Sequence, residues 1–295
     1  MRRQPCVSEK APLGAFFVLV LGWFAGGVQA ASCDMQTTGI RPQAVRVESV
    51  LDGDTVVLQD GRRVRLVGIN TPEVAHPPKP EEPLARWATE LLESKLDKQP
   101  LWLQTGRQAT DHYGRTLGHL FTPSGHNIIA ELLYSGAGFQ VAIPPNLDYA
   151  DCYAVAQRKA RSEGRGVWGH EYYRPIAADS PQLKGGYTRV VGRVEKVTLT
   201  KNVIWVDLQG QVSLKLNRKH AEFLAGDTFD QVVAASRKRS GITDLVLEAR
   251  GWVVDRNTWG GRMVQLIKAG KRKPFQMNVQ HASSWETLPA GGQPH

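Results

Sequence analysis

The stretch VRVESVLDGDTVVLQDGRRVRLVGINTPE, residues 45–73, contains the pattern on which the fold prediction depends. Apolar and polar residues alternate through VRVESVL, TVVLQ and RRVRLVGI, which is typical of strands with one buried face. Asp60 and Gly61 form a turn signal between the second and third strands. The stretch therefore predicts a three-stranded meander, which ends at Pro72 because proline cannot extend a strand ladder.

Helices and further strands are predicted after the meander. Apolar residues recur at helical spacing in PLARWATELLESKL, residues 83–96, and short strand patterns follow at 101–104 and 115–122. Two more helices, predicted at 127–136 and 147–164, each end at a glycine, which favours a left-handed C-cap. Five short strands with an intervening helix suit a small closed barrel of the OB type, with the last helices packed outside.

A second β-rich region follows the stretch AADSPQLKGG, whose small, Pro- and Gly-containing composition is typical of a linker. Its five predicted strands, with a helical or loop excursion at 218–241 between the third and fourth, are at 188–199, 202–209, 211–217, 243–256 and 262–270. This order is compatible with another OB-like barrel. The tail from Lys271 lacks periodicity and is predicted to be disordered.

The first thirty residues have the pattern of a secretory signal peptide. A basic start precedes the apolar run LGAFFVLVLGWFAGG and a small-residue ending at Ala30. An uncleaved membrane anchor is the alternative, but the run is short and interrupted by glycines. We therefore expect export to the periplasm or the medium. Cleavage removes three cations and one anion from the formal net charge of +9, and the basic remainder favours anionic partners.

Cysteine usage agrees with export. Cleavage leaves Cys33 and Cys152, and an even pair in an exported chain suggests a disulfide. The alternative is two unpaired thiols, which an oxidising compartment makes less favourable. The two cysteines and the scattered histidines do not form a zinc-ligand pattern.

Polar side chains gather at the ends of the predicted meander. Asp54 begins the second strand, whereas Asn70 and Glu73 follow the third, and antiparallel neighbours bring those ends side by side. Carboxylate, amide and carbonyl oxygens suit a hard cation such as Ca²⁺. Arg65 on the third strand and Arg115 beyond a Tyr-Gly turn each present a planar fork to phosphate. The pattern predicts a metal site beside an anion clamp.

Five segments of the chain carry a family resemblance, and they occur in order between Val45 and about His170: VLDGDTVVL, RLVGINTPE, TDHYGRTLGHL, NIIAELLYSGAGFQ and AVAQRKARSEGRGVWG. Through them the chain resembles the staphylococcal nuclease (thermonuclease) family. The resemblance implies a calcium-dependent phosphodiesterase on an OB barrel, which acts on DNA and RNA and leaves 3′-phosphate ends. We therefore expect DNA, RNA or both as partners, a monomer, and no stable membrane association after signal cleavage.

The resemblance also implies residue roles. Asp54 would be the carboxylate metal ligand, Thr71 would add its backbone carbonyl, and Glu73 would be the general base. Arg65 and Arg115 would neutralise the phosphate in the transition state, and the resemblance implies a substrate-side contact for Tyr113.

Asn70 departs from the family pattern, which has an aspartate there. An amide oxygen binds Ca²⁺ but adds no charge, so we expect weaker binding or a preference for another divalent ion. Two functions stay open: an exported metal-dependent endonuclease, and a non-catalytic nucleic-acid-binding protein that has lost its metal site through Asn70.

The predicted fold class is mainly β, with an OB-fold nuclease domain followed by a second OB-like β-rich domain. The predicted segments are a signal peptide at 1–30, an N-terminal arm at 31–44, the nuclease-like domain at 45–174, a linker at 175–186, the OB-like domain at 187–270 and a disordered basic tail at 271–295.

The second domain interleaves basic residues such as Arg189 and Lys215 with Trp205, Phe223, Trp252 and Trp259. This mixture suits a single-strand groove with stacking platforms. The aromatic residues fit a core equally well, and for Trp205, between two apolar residues, the core interpretation is favoured.

Overall fold

The computed structural model describes residues 33–36, 38–96, 100–237 and 243–289. The predicted signal peptide and the last six residues lie outside the described residues. Within the described part, no helix has the length and apolar character needed to cross a membrane.

The first half of the chain forms a six-stranded sheet and a separate two-stranded pair, β5 with β8. The strands are β1 (Gln43–Val45), β2 (Val47–Asp52), β3 (Thr55–Leu58), β4 (Arg63–Leu66), β5 (Ile69–Asn70), β6 (Leu101–Thr110), β7 (Thr116–Phe121) and β8 (Phe139–Gln140). The predicted meander is confirmed, because β3 pairs antiparallel with both β2 and β4.

The six-stranded sheet curves into a half-barrel with the strand order β1-β6-β7-β4-β3-β2. β1 pairs with β6 at one edge and β2 pairs with β3 at the other. Only Arg46 separates β1 from β2, so the stretch 43–52 bends across and links the two edges of the sheet. The side chains inside this curve form the first hydrophobic core.

Three helices pack against the first core, close to their predicted positions: α1 (Ala85–Lys95), α2 (Ile128–Ser135) and α3 (Ala150–Ser162). The side chain of Asn127 caps α2 by accepting hydrogen bonds from the backbone N–H groups of Ile129 and Ala130. α2 ends at Gly136, which adopts a positive φ of 78° as its C-cap. A Cβ there would also lie 2.2 Å from the carbonyl oxygen of Arg165, so a larger residue cannot replace the glycine without a shift.

The second half forms a closed five-stranded barrel. The seven strands of its sheet are β9 (Ile176–Ala177), β10 (Gly186–Leu199), β11 (Val203–Leu208), β12 (Val212–Asn217), β13 (Val246–Asp255), β14 (Phe275–Val279) and β15 (Trp285–Leu288). Pairing runs β10-β11-β12-β14-β13 and returns from β13 to β10, with β12 and β14 parallel. Two helices, α4 (Ala221–Leu224) and α5 (Asp227–Ala235), connect β12 to β13, as the predicted excursion requires. This is the OB topology.

Two predictions for the second half are wrong. The segment predicted as a strand at 262–270 is helix α6 (Gly261–Lys268), because Met263, Leu266 and Ile267 repeat at helical spacing. The segment predicted as a disordered tail instead contains β14 and β15. β14 inserts between β12 and β13, and its buried Phe275 and Met277 complete the barrel interior. The domain boundaries themselves stay a prediction.

The two halves meet at a buried ionic cluster. Glu248 on β13 is 0% exposed and binds Arg189 on β10, with N–O distances of 2.9 and 3.1 Å. Arg161, from helix α3 of the first half, also binds Glu248, and with Arg250 it contacts Glu286. The interpretation of Arg189 as part of an exposed binding groove is therefore wrong, because its charge is neutralised inside this cluster.

The predicted disulfide is present between Cys33 and Cys152, whose Cα atoms are 5.5 Å apart. Cys152 is buried on α3, and Cys33 packs against the first core. The bond therefore attaches the N-terminal arm to the helical side of the barrel.

Replacing both cysteines with alanine should lower the free energy of unfolding by about 2–4 kcal/mol, because the crosslink closes a long loop in the unfolded chain. Urea denaturation without reductant measures the loss, and the reduced wild type serves as the control. Equal unfolding midpoints for the oxidised wild type and the double variant would contradict this prediction.

Candidate active site

Asp54 is the buried carboxylate on which the site is built. It lies in the tight turn between β2 and β3 and is 6% exposed. The backbone N–H and the hydroxyl of Thr71 donate to its Oδ2 at 2.9 and 3.1 Å, and the hydroxyl of Thr55 donates to its Oδ1 at 3.1 Å. Asp54 therefore joins the β2–β3 turn to the chain just after β5.

Arg65 on β4 contacts the same carboxylate oxygen as Thr71. Its Nη2 lies 3.0 Å from Oδ2 of Asp54 and 3.4 Å from Oδ1 of Asn70. Its Nη1 donates to the carbonyl oxygens of Leu66 and Ile69 at 2.7 and 2.8 Å. These contacts on both terminal nitrogens hold the guanidinium plane in one orientation. The structure thus brings Asp54, Arg65, Asn70 and Thr71 together.

Two glycines permit this close packing. A Cβ on Gly53 would lie 2.8 Å from Cβ of Ala88 and 2.9 Å from Cβ of Thr71. A Cβ on Gly138 would lie 2.4 Å from the carbonyl oxygen of Asn70. The Asp-Gly pattern at 52–53 has the local signature of a turn, but only the fold shows that the glycine is required by neighbours distant in sequence.

Asp52 belongs to the same cluster, although its sequence position indicates only a turn residue. Its Oδ1 accepts the backbone N–H of Asp54 at 2.9 Å, which orients the Asp54 backbone. Burial, followed by the negative charge of Asp54, raises the pKa of Asp52 to about 7. The repeated carboxylates of the DGD motif are the signal that could have identified it.

Glu73 lies at the mouth of the site and reaches solvent. Its backbone N–H donates to Oε2 of Glu82 at 3.0 Å, and its carbonyl oxygen accepts the N–H of Glu82 at 2.9 Å. Partial desolvation, then the charges of Asp54 and Glu82, raise the pKa of Glu73, while Arg65 opposes the shift. Sequence reasoning missed Glu82, because a contact across the loop 73–82 leaves no spacing signal.

Arg115 and Tyr113 form a second cluster at the parallel β4–β7 pair. Arg115 immediately precedes Thr116, whose partner in the ladder is Val64, so it flanks the start of β4. Asp111 accepts the backbone N–H and the Nε of Arg115 at 2.9 and 2.8 Å. The Tyr113 ring is 74% exposed, and its centroid lies 5.5 Å from the guanidinium carbon of Arg115.

A surface cavity of about 490 Å³ opens beside Arg115 and Tyr113, and it is also lined by Gly61, Arg62, Arg63 and Gly114. Three arginines around an exposed tyrosine make this cavity suitable for a phosphate next to an aromatic base. Arg115 therefore lies beside this cavity, whereas Arg65 contacts Asp54 and Asn70.

The predicted metal ligands supply only oxygen atoms: the carboxylate of Asp54, the amide of Asn70 and the backbone carbonyl of Thr71. Among the described residues, no group of three or more His, Cys, Asp or Glu side chains is arranged to hold a metal ion. Neutral oxygens and water would therefore complete any coordination. This donor set fits a hard divalent cation such as Ca²⁺ better than zinc.

Arginine forks beside buried oxygen donors suit the binding of a phosphodiester. The chain belongs to the staphylococcal nuclease family, and residues 63–170 match the family model described as staphylococcal nuclease homologue. It is 31% identical to the thermonuclease of Staphylococcus intermedius over 135 residues. The matched stretch covers 45% of this chain and 80% of that protein.

Two further relatives are named as endonucleases. An uncharacterised endonuclease of Escherichia coli O157:H7 is 33% identical over 126 residues, covering 42% of this chain and 75% of that protein. Endonuclease YhcR of Bacillus subtilis is 27% identical over 174 residues, covering 54% of this chain and 14% of that much longer protein. The chain is therefore a nuclease, a hydrolase that acts on the phosphodiester bonds of nucleic acid.

The raised pKa of Asp52 predicts a pH-dependent stability. The folded chain holds the Asp52 proton more tightly than the unfolded chain, so this stabilisation is present in acid and is lost as the pH rises through about 7. Asp52→Asn stays neutral, so its free energy of unfolding should fall less than that of the wild type between about pH 5 and about pH 8. Urea denaturation in the presence of chelator measures both. An identical pH dependence for the two proteins would contradict the assignment.

Proposed function

We propose that the chain is an exported, metal-dependent endonuclease that hydrolyses DNA, RNA or both. In this proposal Glu73 is the general base, and Arg65 and Arg115 bind the phosphate. The observation that carries it is the convergence of Asp54, Arg65, Asn70 and Thr71 at one point, with Glu73 at its mouth. The named thermonuclease and endonuclease relatives support the same reaction class.

The carboxylate of Asp54, the amide oxygen of Asn70 and the carbonyl of Thr71 would hold the cation, which we propose is Ca²⁺. When bound, the ion supplies positive charge that polarises the scissile phosphate. Arg65 already contacts Oδ2 of Asp54, so its fork is in place beside the position proposed for the phosphate. Such a preoriented cation stabilises the negative charge that develops on the phosphoryl oxygens, with little reorganisation during the reaction.

Glu73 is suited to take a proton from water. Its raised pKa makes it a stronger base than an ordinary glutamate, and its contact with solvent admits the attacking water. The two hydrogen bonds between its backbone and Glu82 position the side chain. Water then attacks phosphorus in line with the departing 5′-oxygen, while Arg65 and Arg115 neutralise the phosphate and Tyr113 contacts the substrate.

Export is supported by two features. The signal pattern at 1–30 lies outside the described residues, but the Cys33–Cys152 disulfide is suited to an oxidising compartment. We therefore propose that the mature enzyme works in the periplasm or outside the cell, as a monomer.

A second candidate function rests on Asn70 alone. An amide supplies no negative charge, so the same fold could bind nucleic acid without holding the cation tightly enough to cleave it. This alternative is a non-catalytic nucleic-acid-binding protein.

The two functions differ in the effect of Glu73→Gln. We expect this variant to reduce calcium-dependent cleavage of a labelled single strand by about 100-fold or more, because the base is lost while charge and shape change little. Glu171→Gln, at an exposed glutamate of the same domain, is the matched control and should cleave as the wild type does. Chelator should abolish all cleavage. Undiminished cleavage by Glu73→Gln would exclude it as the base, and no cleavage by wild type with any divalent ion would favour the binding protein.

Asn70→Asp tests the metal ligands directly. The added carboxylate beside Asp54 should raise Ca²⁺ affinity by about tenfold, because ligand charge sets the affinity of calcium sites. Isothermal titration with CaCl₂ alone measures this without any substrate, and Asn202→Asp, at an exposed asparagine in the second half, is the control. An affinity unchanged from the wild type would mean that residue 70 does not ligate the ion.

A further inference from the structure

The second barrel places an aromatic residue on its outer face where the sequence favours one in the core. Ile204 and Val206 are 3% and 0% exposed and point into the barrel, so alternation along β11 places Trp205 on the outer face, where it is half-buried. The core interpretation of Trp205 is therefore wrong. Its cross-strand partner on β12 is Lys215, whose side chain shares this outer face.

The connection from β13 to β14 folds over Trp205. This connection, residues 256–274, contains six Lys or Arg residues and no Asp or Glu. The guanidinium carbon of Arg256 lies 5.5 Å from the ring centroid of Trp205 and 5.6 Å from that of Trp259, and that of Arg272 lies 6.0 Å from Trp205. We call Trp205, Lys215, Arg256, Trp259 and Arg272 together the Trp205 face.

Arg256 is a buried cation whose charge is poorly neutralised. It is 2% exposed, and among the described residues no carboxylate lies within ion-pair distance of it. Its Nη1 donates weakly to the carbonyl of Lys273 at 3.3 Å, its Nη2 lies 3.5 Å from Sδ of Met263, and its Nε has no hydrogen-bond partner. Asp207 on β11 exerts some attraction, but Arg272 adds further positive charge. Burial of an uncompensated charge is costly, so an approaching anion would be stabilised here.

Trp259 supplies the second element of a binding site. It is 51% exposed, and while one side of the ring contacts Arg256, the exposed part is available to solvent. An exposed indole beside several cations suits stacking of an unpaired base with contacts to the flanking phosphates. Paired bases in a duplex do not offer a free face, so the arrangement favours single strands.

We propose that the Trp205 face binds single-stranded nucleic acid, with a base stacked on Trp259 and phosphates bound by Arg272 and Lys215. In this barrel β11 and β12 are the second and third strands, and residues 256–274 connect the fourth strand to the fifth. These are the elements with which OB barrels bind oligonucleotides. The face lies on the second barrel and uses none of the proposed catalytic residues. It gives the nuclease a means of retaining a strand independently of cleavage.

The test is the affinity of a fluorescein-labelled oligothymidylate of about 20 nucleotides, measured by anisotropy with the mature chain in chelator. Trp259→Ala and Arg272→Ala should each raise Kd by about tenfold. Arg272→Ala should also reduce the slope of log K against log salt by about 0.7, as expected for one lost phosphate contact. The matched controls are Tyr134→Ala, at a tyrosine 44% exposed on α2, and Arg158→Ala, at an exposed arginine on α3, and both should bind as the wild type does.

The result does not depend on the catalytic proposal, because chelator removes any metal-dependent cleavage and only binding is measured. Both test residues are exposed, and thermal unfolding of each variant verifies the fold. Unchanged Kd in both variants would overturn the proposal. So would an equal loss in the control variants, or tighter binding of a duplex of the same sequence than of the single strand.

Discussion

The carboxylate of Asp54 is the group around which the proposed active site is arranged. It accepts hydrogen bonds from Thr71, in the chain after β5, and forms an ion pair with Arg65 on β4. Because the carboxylate is buried, an unpaired charge there would be costly, and each partner is therefore held in place. The position of Glu73, two residues after Thr71, follows from this anchoring. The proposed chemistry thus depends on the hydrogen bonds and the ion pair of this one carboxylate.

The same reasoning applies to the junction between the two halves. Glu248 has no exposure and binds Arg189 and Arg250 from its own barrel and Arg161 from α3. Removing one member would leave an uncompensated charge in a water-poor environment, so the cluster disfavours separation of the halves. Phe139 and Trp168 from the first half pack with Tyr187 from β10 beside it. The second barrel is consequently held against the nuclease fold rather than attached by a loose linker.

Local patterns determined much of the fold. The meander at 45–73, the three helices of the first half and the excursion between β12 and β13 have periodicity and caps that depend only on near neighbours. The segment 262–270 contains a short apolar run, and such a run is compatible with either a strand or a helix. The strands after Lys271 are short and are stabilised by partners far away in the chain, so they leave no local periodicity.

For this protein, the sequence by itself determined the nuclease signature, the paired cysteines and the residues that converge on Asp54, because these depend on residue type and strand order. Only the tertiary structure decided the roles of Asp52, Glu82 and Gly138, the burial of Arg189 and the outward position of Trp205. Each of these depends on tertiary contacts. Such contacts join residues from separate elements or across a loop, so the local sequence does not specify them. The pKa shifts of Asp52 and Glu73 follow from the same contacts, because burial and neighbouring charges set them.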